Sequence, residues 1–421
     1  MTKHFLKSSV LAFAMMAAAG SAQALEKVVW WDFMSEGDGA HLKELIAKFN
    51  ETHKGAIEID PTTLSWGVVY YTKLQTSAAV GQGPDISTYH LSRIPSGVAS
   101  KTLLPIDVKE LQSVGLLDSD YPAPAIDAAT VDGKRYAVPF DTHATVLYYN
   151  KTILRSLGLL GEDSKPKGIE TLDGWRAALE KAKAAGKGGV GFEANKADVR
   201  LVYTLFGQMG GQLTTDDKFL QGDNFDKMVK AFDEVRNWVA KGWASKNMDY
   251  TNEVANFRSG GLAFMINGDW ELPTMADAAA KNKDFEFGMM VVPTWYAKAA
   301  SWADSHAFVI PNNVGTPASA TKHAAVLEII KWMNENSLNW AQVGHIPAYL
   351  PVRDSVAYKS LKPQSDYASV INDAFYEPKS VAAGADGLFE HAWQGAMADA
   401  MNGSGATKDA LSDLRETLNG S

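Results

Sequence analysis

Val28-Val29-Trp30-Trp31-Asp32 is a short apolar run that stops at a carboxylate, the pattern of a buried strand emptying into a loop. The chain then repeats that theme. His41 to His53 carries Leu42, Leu45, Ile46 and Phe49 at helical spacing, and Ala56 to Ile59 reads as a second short strand. Val68 to Ala79 is helical again, and Gly81-Gln82-Gly83-Pro84-Asp85-Ile86 turns into a third strand. Strands that alternate with helices at this spacing build a parallel sheet, because a parallel connection needs a helix-length crossover. The N-terminal part is therefore an α/β lobe, and the loops at the carboxyl ends of its strands are where a ligand would sit.

Beyond Lys151 helices dominate. Leu172 to Ala185 starts behind Thr171, a suitable N-cap. Phe225 to Lys241 places Met228, Phe232, Val235 and Val239 on one face, and Thr321 to Asn336 and Asp409 to Leu418 are further amphipathic runs. Ala263 to Ile266 and Gly288 to Val292 read as strands between them, and Gly186 to Gly191 as a loop that lacks the lysine-serine or lysine-threonine end of a phosphate cradle. No internal repeat or low-complexity linker separates these parts. With 421 residues the chain exceeds what one core usually organises, so two domains joined by short crossings are expected.

The first 24 residues have a different character. Lys3 and Lys7 give a positive start, Val10 to Ala19 an apolar run, and Ala22-Gln23-Ala24 a small-x-small cleavage site, the layout of a secretory signal peptide cut after Ala24. The run is too short for a membrane span, which needs roughly 20 residues. No cysteine is present, so neither a disulfide framework nor a lipid anchor is available. A soluble periplasmic protein is expected. The net charge of −9, more acidic still without Lys3 and Lys7, argues against nucleic acid or an anionic membrane as partner.

Enzymatic signatures fail: there is no HExxH, GxSxG, Walker loop or GxGxxG followed by an acidic residue. The nine histidines are scattered, with no pair at metal-ligand spacing on a helix face, so no metal and no cofactor are expected. Paired carboxylates could in principle serve a glycosidase, and sequence does not report their separation. What is present is a set of aromatic-plus-polar loops: Trp30-Trp31-Asp32, Ser65-Trp66, Tyr89-His90, Asp141-Thr142-His143, Asp269-Trp270, Trp302-Ala303-Asp304 and Pro351-Val352-Arg353. Carbohydrates offer flat C–H faces edged by hydroxyls, and such loops supply rings to stack on and charged groups for the hydroxyls.

Asp132-Gly133-Lys134-Arg135-Tyr136-Ala137-Val138-Pro139 followed by Leu147-Tyr148-Tyr149-Asn150-Lys151 resembles the lobe-crossing signature of family 1 extracellular solute-binding proteins, the sugar receptors of ABC importers. Gly83-Pro84-Asp85, the run from Phe257 to Trp270, and Gly344-His345-Ile346-Pro347-Ala348 are similar to three more of that family's segments, in the same order. The resemblance implies a two-lobe periplasmic-binding-protein fold of type II, with a cleft between α/β lobes joined by hinge crossings. Lobe one would be 25–139 plus 294–330 and lobe two 140–293 plus 331–421, with crossings near Pro139, Pro293 and Lys331. By position, it implies a floor-stacking Trp270, with ligand contacts from Trp31, Asp32, Glu36, Tyr89 or His90, His143, Trp302 and Asp304; Asp141, two residues before His143 on the same face, and Trp66 and Arg353 from the aromatic-plus-polar loops are further candidates. Neighbours on a strand point to opposite faces, so only one of Tyr89 and His90, and one of Trp30 and Trp31, should reach the ligand. Asp85 reads as a turn cap.

The implied activity is capture of a sugar or glycoside by a monomeric receptor that closes on it and delivers it to an ABC permease. A polyol, glycerol phosphate or sulfonated sugar is the alternative within the fold, and a secreted glycosidase the alternative outside it.

Overall fold

The computed structural model describes residues 25–34 and 37–420. The leader and Glu36 lie outside the described residues. Among the described residues no helix is long and apolar enough to cross a membrane.

The first sheet holds β1 (Glu26–Asp32), β2 (Ile57–Thr63), β3 (Ile86–His90) and β4 (Ala137–Pro139). Helices α1 (Gly37–Thr52) and α2 (Val68–Ala79) connect the first three strands, which run parallel as expected. Alternation along β1 sends Val28 and Trp30 into the core, while Trp31 lies half-buried on the other side beneath Lys73 of α2. Asp85 does not cap its own turn as read: its carboxylate reaches across to β1, accepting the Val29 N–H at 2.8 Å, and pairs with Lys322 at 3.2 Å.

The second sheet is organised around β5 (Asp141–Asn150), whose ten residues are all buried. Its partners include β6 (Gly188–Gly191) through β7 (Leu262–Gly268), then β8 (Phe287–Val291) and β9 (Ser301–Asp304). Residues 188–191 are thus a strand, contrary to the loop reading. Gly189 is needed there because a Cβ would stand 2.8 Å from the Trp243 carbonyl oxygen, and the Leu262 side chain fills the space beside Gly188 and Gly191. Helix α3 (Leu172–Ala184) packs behind this sheet. Thr171 caps it by accepting the Gly174 N–H at 3.1 Å, worth about 1 kcal/mol, and Trp175, Ala178, Leu179 and Ala182 bury one stripe.

The first crossing falls at Phe140, one residue past the expected place. The other two lie later than expected. Residues 294–304 stay with lobe two, because Trp295 stacks on Trp175 at 4.8 Å and β9 pairs with β5. The chain returns at Ser305, and β10 (His306–Val309) joins β3 and β4 in the first sheet. Helix α4 (Ala320–Glu335) then runs unbroken past Lys331 with Ile329, Ile330 and Met333 in the lobe-one core, so the third crossing follows it. It is made by β11 (Ile346–Pro347), which pairs with Thr142 and Asp141. Phe140 is the point of convergence: its N–H donates to the His306 carbonyl at 2.8 Å, and its own carbonyl accepts from the Ala348 N–H at 3.1 Å. Three strands pass between the lobes side by side.

Candidate functional site

Where β5, β7 and β9 begin or end, they bring together rings that are far apart in sequence. Trp270 follows β7 and folds back over Gly268, where a Cβ would meet its ring at 2.1 Å; this is why a glycine precedes it. Its indole N–H donates to the Tyr250 hydroxyl at 2.8 Å, which in turn hydrogen-bonds Glu271. Trp302 stands edge-on to it, 6.3 Å between ring centroids, and His143 is 5.8 Å from Trp270 and 6.1 Å from Trp302. The Arg200 guanidinium lies 4.9 Å above the Trp302 ring and 5.9 Å from that of Trp270. A cavity of about 20 Å³ opens beside Trp270, Arg200, Tyr250, Glu253 and Asn267. It has room for about one water, far below the roughly 300 Å³ of a small-molecule pocket, and the residues around it all belong to lobe two.

Lobe one faces this wall with His90 at the end of β3. Its Nδ1 lies 2.6 Å from the Tyr71 hydroxyl, its ring stacks on Phe33 at 4.9 Å, and its face is 5.5 Å from His143. Burial, then the neighbouring His306, hold it well below the usual histidine range, so it is a neutral imidazole. Tyr89, its neighbour, points the other way into the lobe-one core, 5.1 Å from Tyr71, and is withdrawn as a ligand contact. Arg93 lies 4.7 Å over the Tyr71 ring.

The remaining candidates divide. Trp66 is 44% exposed, beside the contact in which the Val68 N–H donates to Asp386. Trp31, under Lys73, has no ring contact with the Trp270–Trp302 pair. Arg353 pairs with its neighbour Asp354 at 3.2 Å, which satisfies its charge locally. Asp304 is engaged in an interlobe latch: Oδ1 accepts the backbone N–H groups of Ser92 (3.1 Å) and Ser305 (2.8 Å), and Oδ2 accepts the Ser92 hydroxyl.

Asp141 is likewise taken up by the hinge. It is wholly buried, and its oxygens lie 3.2 Å from His143 Nδ1 and 2.7 Å from His306 Nδ1 while accepting the His306 N–H at 2.9 Å and the Trp340 indole N–H at 2.7 Å. Burial would raise its carboxyl, but the charge of His306, then that of His345, outweighs this and holds it well below the usual range. Burial conversely depresses His306, and Asp141 more than offsets that, leaving His306 raised. The pair is ionic.

Asp32 is 2% exposed and braces its own loop, accepting the Met34 N–H at 3.0 Å and the Thr63 hydroxyl at 3.2 Å. Burial pushes its carboxyl up to about 6, against lowering by those hydrogen bonds. A carboxyl raised in the folded state contributes stability that is full below its unfolded value near 3.8 and lost as pH rises through 6. Asp32→Asn, which cannot ionise, should therefore gain on the parent by up to about 3 kcal/mol between pH 4 and 8, read from urea midpoints. A difference between the two proteins that does not change with pH would contradict this.

Sequence reading missed Arg93, Arg200 and Glu377. Glu377 accepts the Trp302 indole N–H at 3.2 Å and the Gly384 N–H at 2.7 Å, and burial, then repulsion from Glu390, push its carboxyl up to about 7. It belongs to a loop that returns from lobe two over lobe one, where the Ala385 N–H donates to Ser92 Oγ at 3.0 Å. No local pattern marks these residues, since each acts through tertiary neighbours.

Comparison with known proteins places this architecture. The maltotriose-binding protein of Pyrococcus abyssi is 24% identical over 319 residues, 74% of this chain and 65% of that protein. The galactooligosaccharide-binding protein of Bacillus subtilis is 24% identical over 273 residues, 62% of this chain and 59% of that protein. The chain thus spans less than two thirds of the length of these relatives. The GacH receptor of Streptomyces glaucescens, solved unliganded and with acarbose, superposes with a TM-score of 0.78 at 18% identity, covering 94% of this chain and 99% of that one. A cyclo/maltodextrin-binding protein complexed with maltotetraose gives 0.72 at 21% identity, over 93% and 96%. These likenesses show the fold, a two-lobe α/β architecture. The bacterial extracellular solute-binding protein family matches residues 44–368, well over half of the sequence. The chain belongs to that family, one of binding proteins rather than enzymes.

Proposed function

We propose that this chain is the periplasmic substrate-binding protein of an ABC importer, which captures a sugar or glycoside by lobe closure and delivers it to the membrane permease. The observation that carries the reading is the half-exposed Trp270 set against Trp302, Arg200 and His143, facing His90 across the cleft. One indole offers a stacking surface, and the polar groups around it suit hydroxyls. Carboxylates Glu253, Glu377 and Asp198 surround Arg200, which favours a neutral saccharide over a phosphate or sulfonate. The relatives' names, maltotriose-, maltodextrin- and galactooligosaccharide-binding, point the same way. Closure is a population shift: a ligand touching both lobes favours the closed state by its differential contacts. Mature protein ending its leader at Ala24, acting as a monomer, completes the proposal.

The test is a thermal-shift panel of monosaccharides, maltodextrins, galactosides, polyols and their phosphates. A neutral saccharide at 100 times its Kd should stabilise the protein by about 2.7 kcal/mol, a readable Tm rise. Responses confined to phosphates or sulfonates would overturn the choice of ligand.

A further inference from the structure

We propose that Asp141, His143, His306 and His345 form a binding site for a zinc-class divalent cation at the point where the chain passes between its lobes. One ligand atom from each of the four lies within 4.8 Å of every other, and all four residues are buried. A tetrahedral ion with bonds of about 2.0–2.1 Å needs its ligands about 3.3 Å apart. Asp141 Oδ2 stands 2.7 Å from His306 Nδ1 and 4.0 Å from His345 Nδ1, bracketing that separation, and Oδ1 stands 3.2 Å from His143 Nδ1. Three imidazoles and one carboxylate suit zinc, cobalt, nickel or copper, and do not suit magnesium or calcium, which prefer oxygen; binding releases to solvent the protons that the His143 and His306 Nδ1 atoms share with Asp141.

A second observation points to the same place. His345 is 1% exposed, yet neither ring nitrogen has a hydrogen-bond partner, and the Asp269 Oδ1 atom, 3.7 Å from His345 Nδ1, has none either. Buried groups left in that condition are few in a native fold, and each calls for a physical reason. A cation held at His345 Nδ1 would give that nitrogen a partner and would set positive charge beside Asp269 Oδ1, which lies 3.7 Å from the same nitrogen; carboxylates just outside a metal's ligand set regularly tune its affinity. The ligands also come one set per passage: Asp141 and His143 from the first, His306 from the second, His345 from the third. A bound ion would fasten all three at the hinge.

The experiment uses tag-free mature protein, treated with chelator and then titrated with ZnCl2 by calorimetry and with CoCl2 by visible absorption. Expected are one equivalent bound with Kd on the order of 1 μM or tighter, a tetrahedral cobalt spectrum, and affinity at least tenfold weaker in His345→Ala and in Asp269→Asn. Replacing the surface residues His41, His323 and His391 by Ala should leave the affinity unchanged. No saturable binding, an octahedral cobalt spectrum, or binding lost with the surface histidines would overturn the proposal. Should His345→Ala fail to fold, imidazole nitrogen NMR on the parent protein decides: zinc must shift buried histidine signals, and no shift would refute the site.

Discussion

Asp141→Ala should lower the free energy of unfolding by about 3–5 kcal/mol, read from urea denaturation at pH 7. The carboxylate is the common acceptor of the hinge. The Trp340 indole N–H and the His306 backbone N–H both end on it at 2.7 and 2.9 Å, and neither donor can shed its proton to escape. Deleting the acceptor leaves both buried without water, each costing about 1–3 kcal/mol, and the His306 imidazolium loses its counter-charge. Asp141→Asn keeps one acceptor oxygen but presents an amide N–H where the other stood, so it should fall between the parent and Asp141→Ala. A change below about 1 kcal/mol for the alanine variant would show that the hinge tolerates the loss, and that the three passages are held by backbone pairing alone.

Trp270→Ala should weaken saccharide binding about 100-fold, roughly 2.7 kcal/mol. Its ring is partly buried and edges the cavity, so truncation removes a stacking surface; it also packs on the lobe-two core and donates to Tyr250, so some stability is lost as well. Trp302 is buried deeper. It is 3% exposed, with its N–H on Glu377, so its removal should cost more stability than that of Trp270. Trp31→Ala supplies the contrast, since that ring sits under Lys73 away from the pair and its loss should leave affinity unchanged. Calorimetric titration of the three variants with the best saccharide from the panel separates these outcomes. Equal losses from Trp31 and Trp270 would remove the floor assigned to Trp270.

The α/β start was legible because it depends on local periodicity: alternation along Val28–Asp32 and the helical stripe after His41 are set by neighbours in sequence. The alternation of Trp30 with Trp31 was legible for the same reason, whereas the role of Asp85 was not, because its partners Val29 and Lys322 are tertiary neighbours. The lobe boundaries were less so. Lobe two keeps residues 294–304 through the stacking of Trp295 on Trp175, a contact between residues far apart, and the crossing at Ser305 carries no glycine or proline to mark it. The proposed site was legible where a strand end carries a motif, as at Trp270 and His143, which the fold brings within 5.8 Å of each other. It was illegible where roles depend on what lies opposite. Asp141 and Asp304 look like open ligand contacts until His306, Trp340 and Ser92 are found occupying them. Four histidines scattered in sequence converge because three strands cross at one point.

Small-angle X-ray scattering of the mature protein, alone and saturated with the saccharide that gives the largest thermal shift, tests the central claim most directly. Closure of two lobes around a ligand should reduce the radius of gyration on saturation, and Trp270→Ala at the same saccharide concentration should retain the wider value. An unchanged radius in the saturated parent protein would contradict capture by lobe closure.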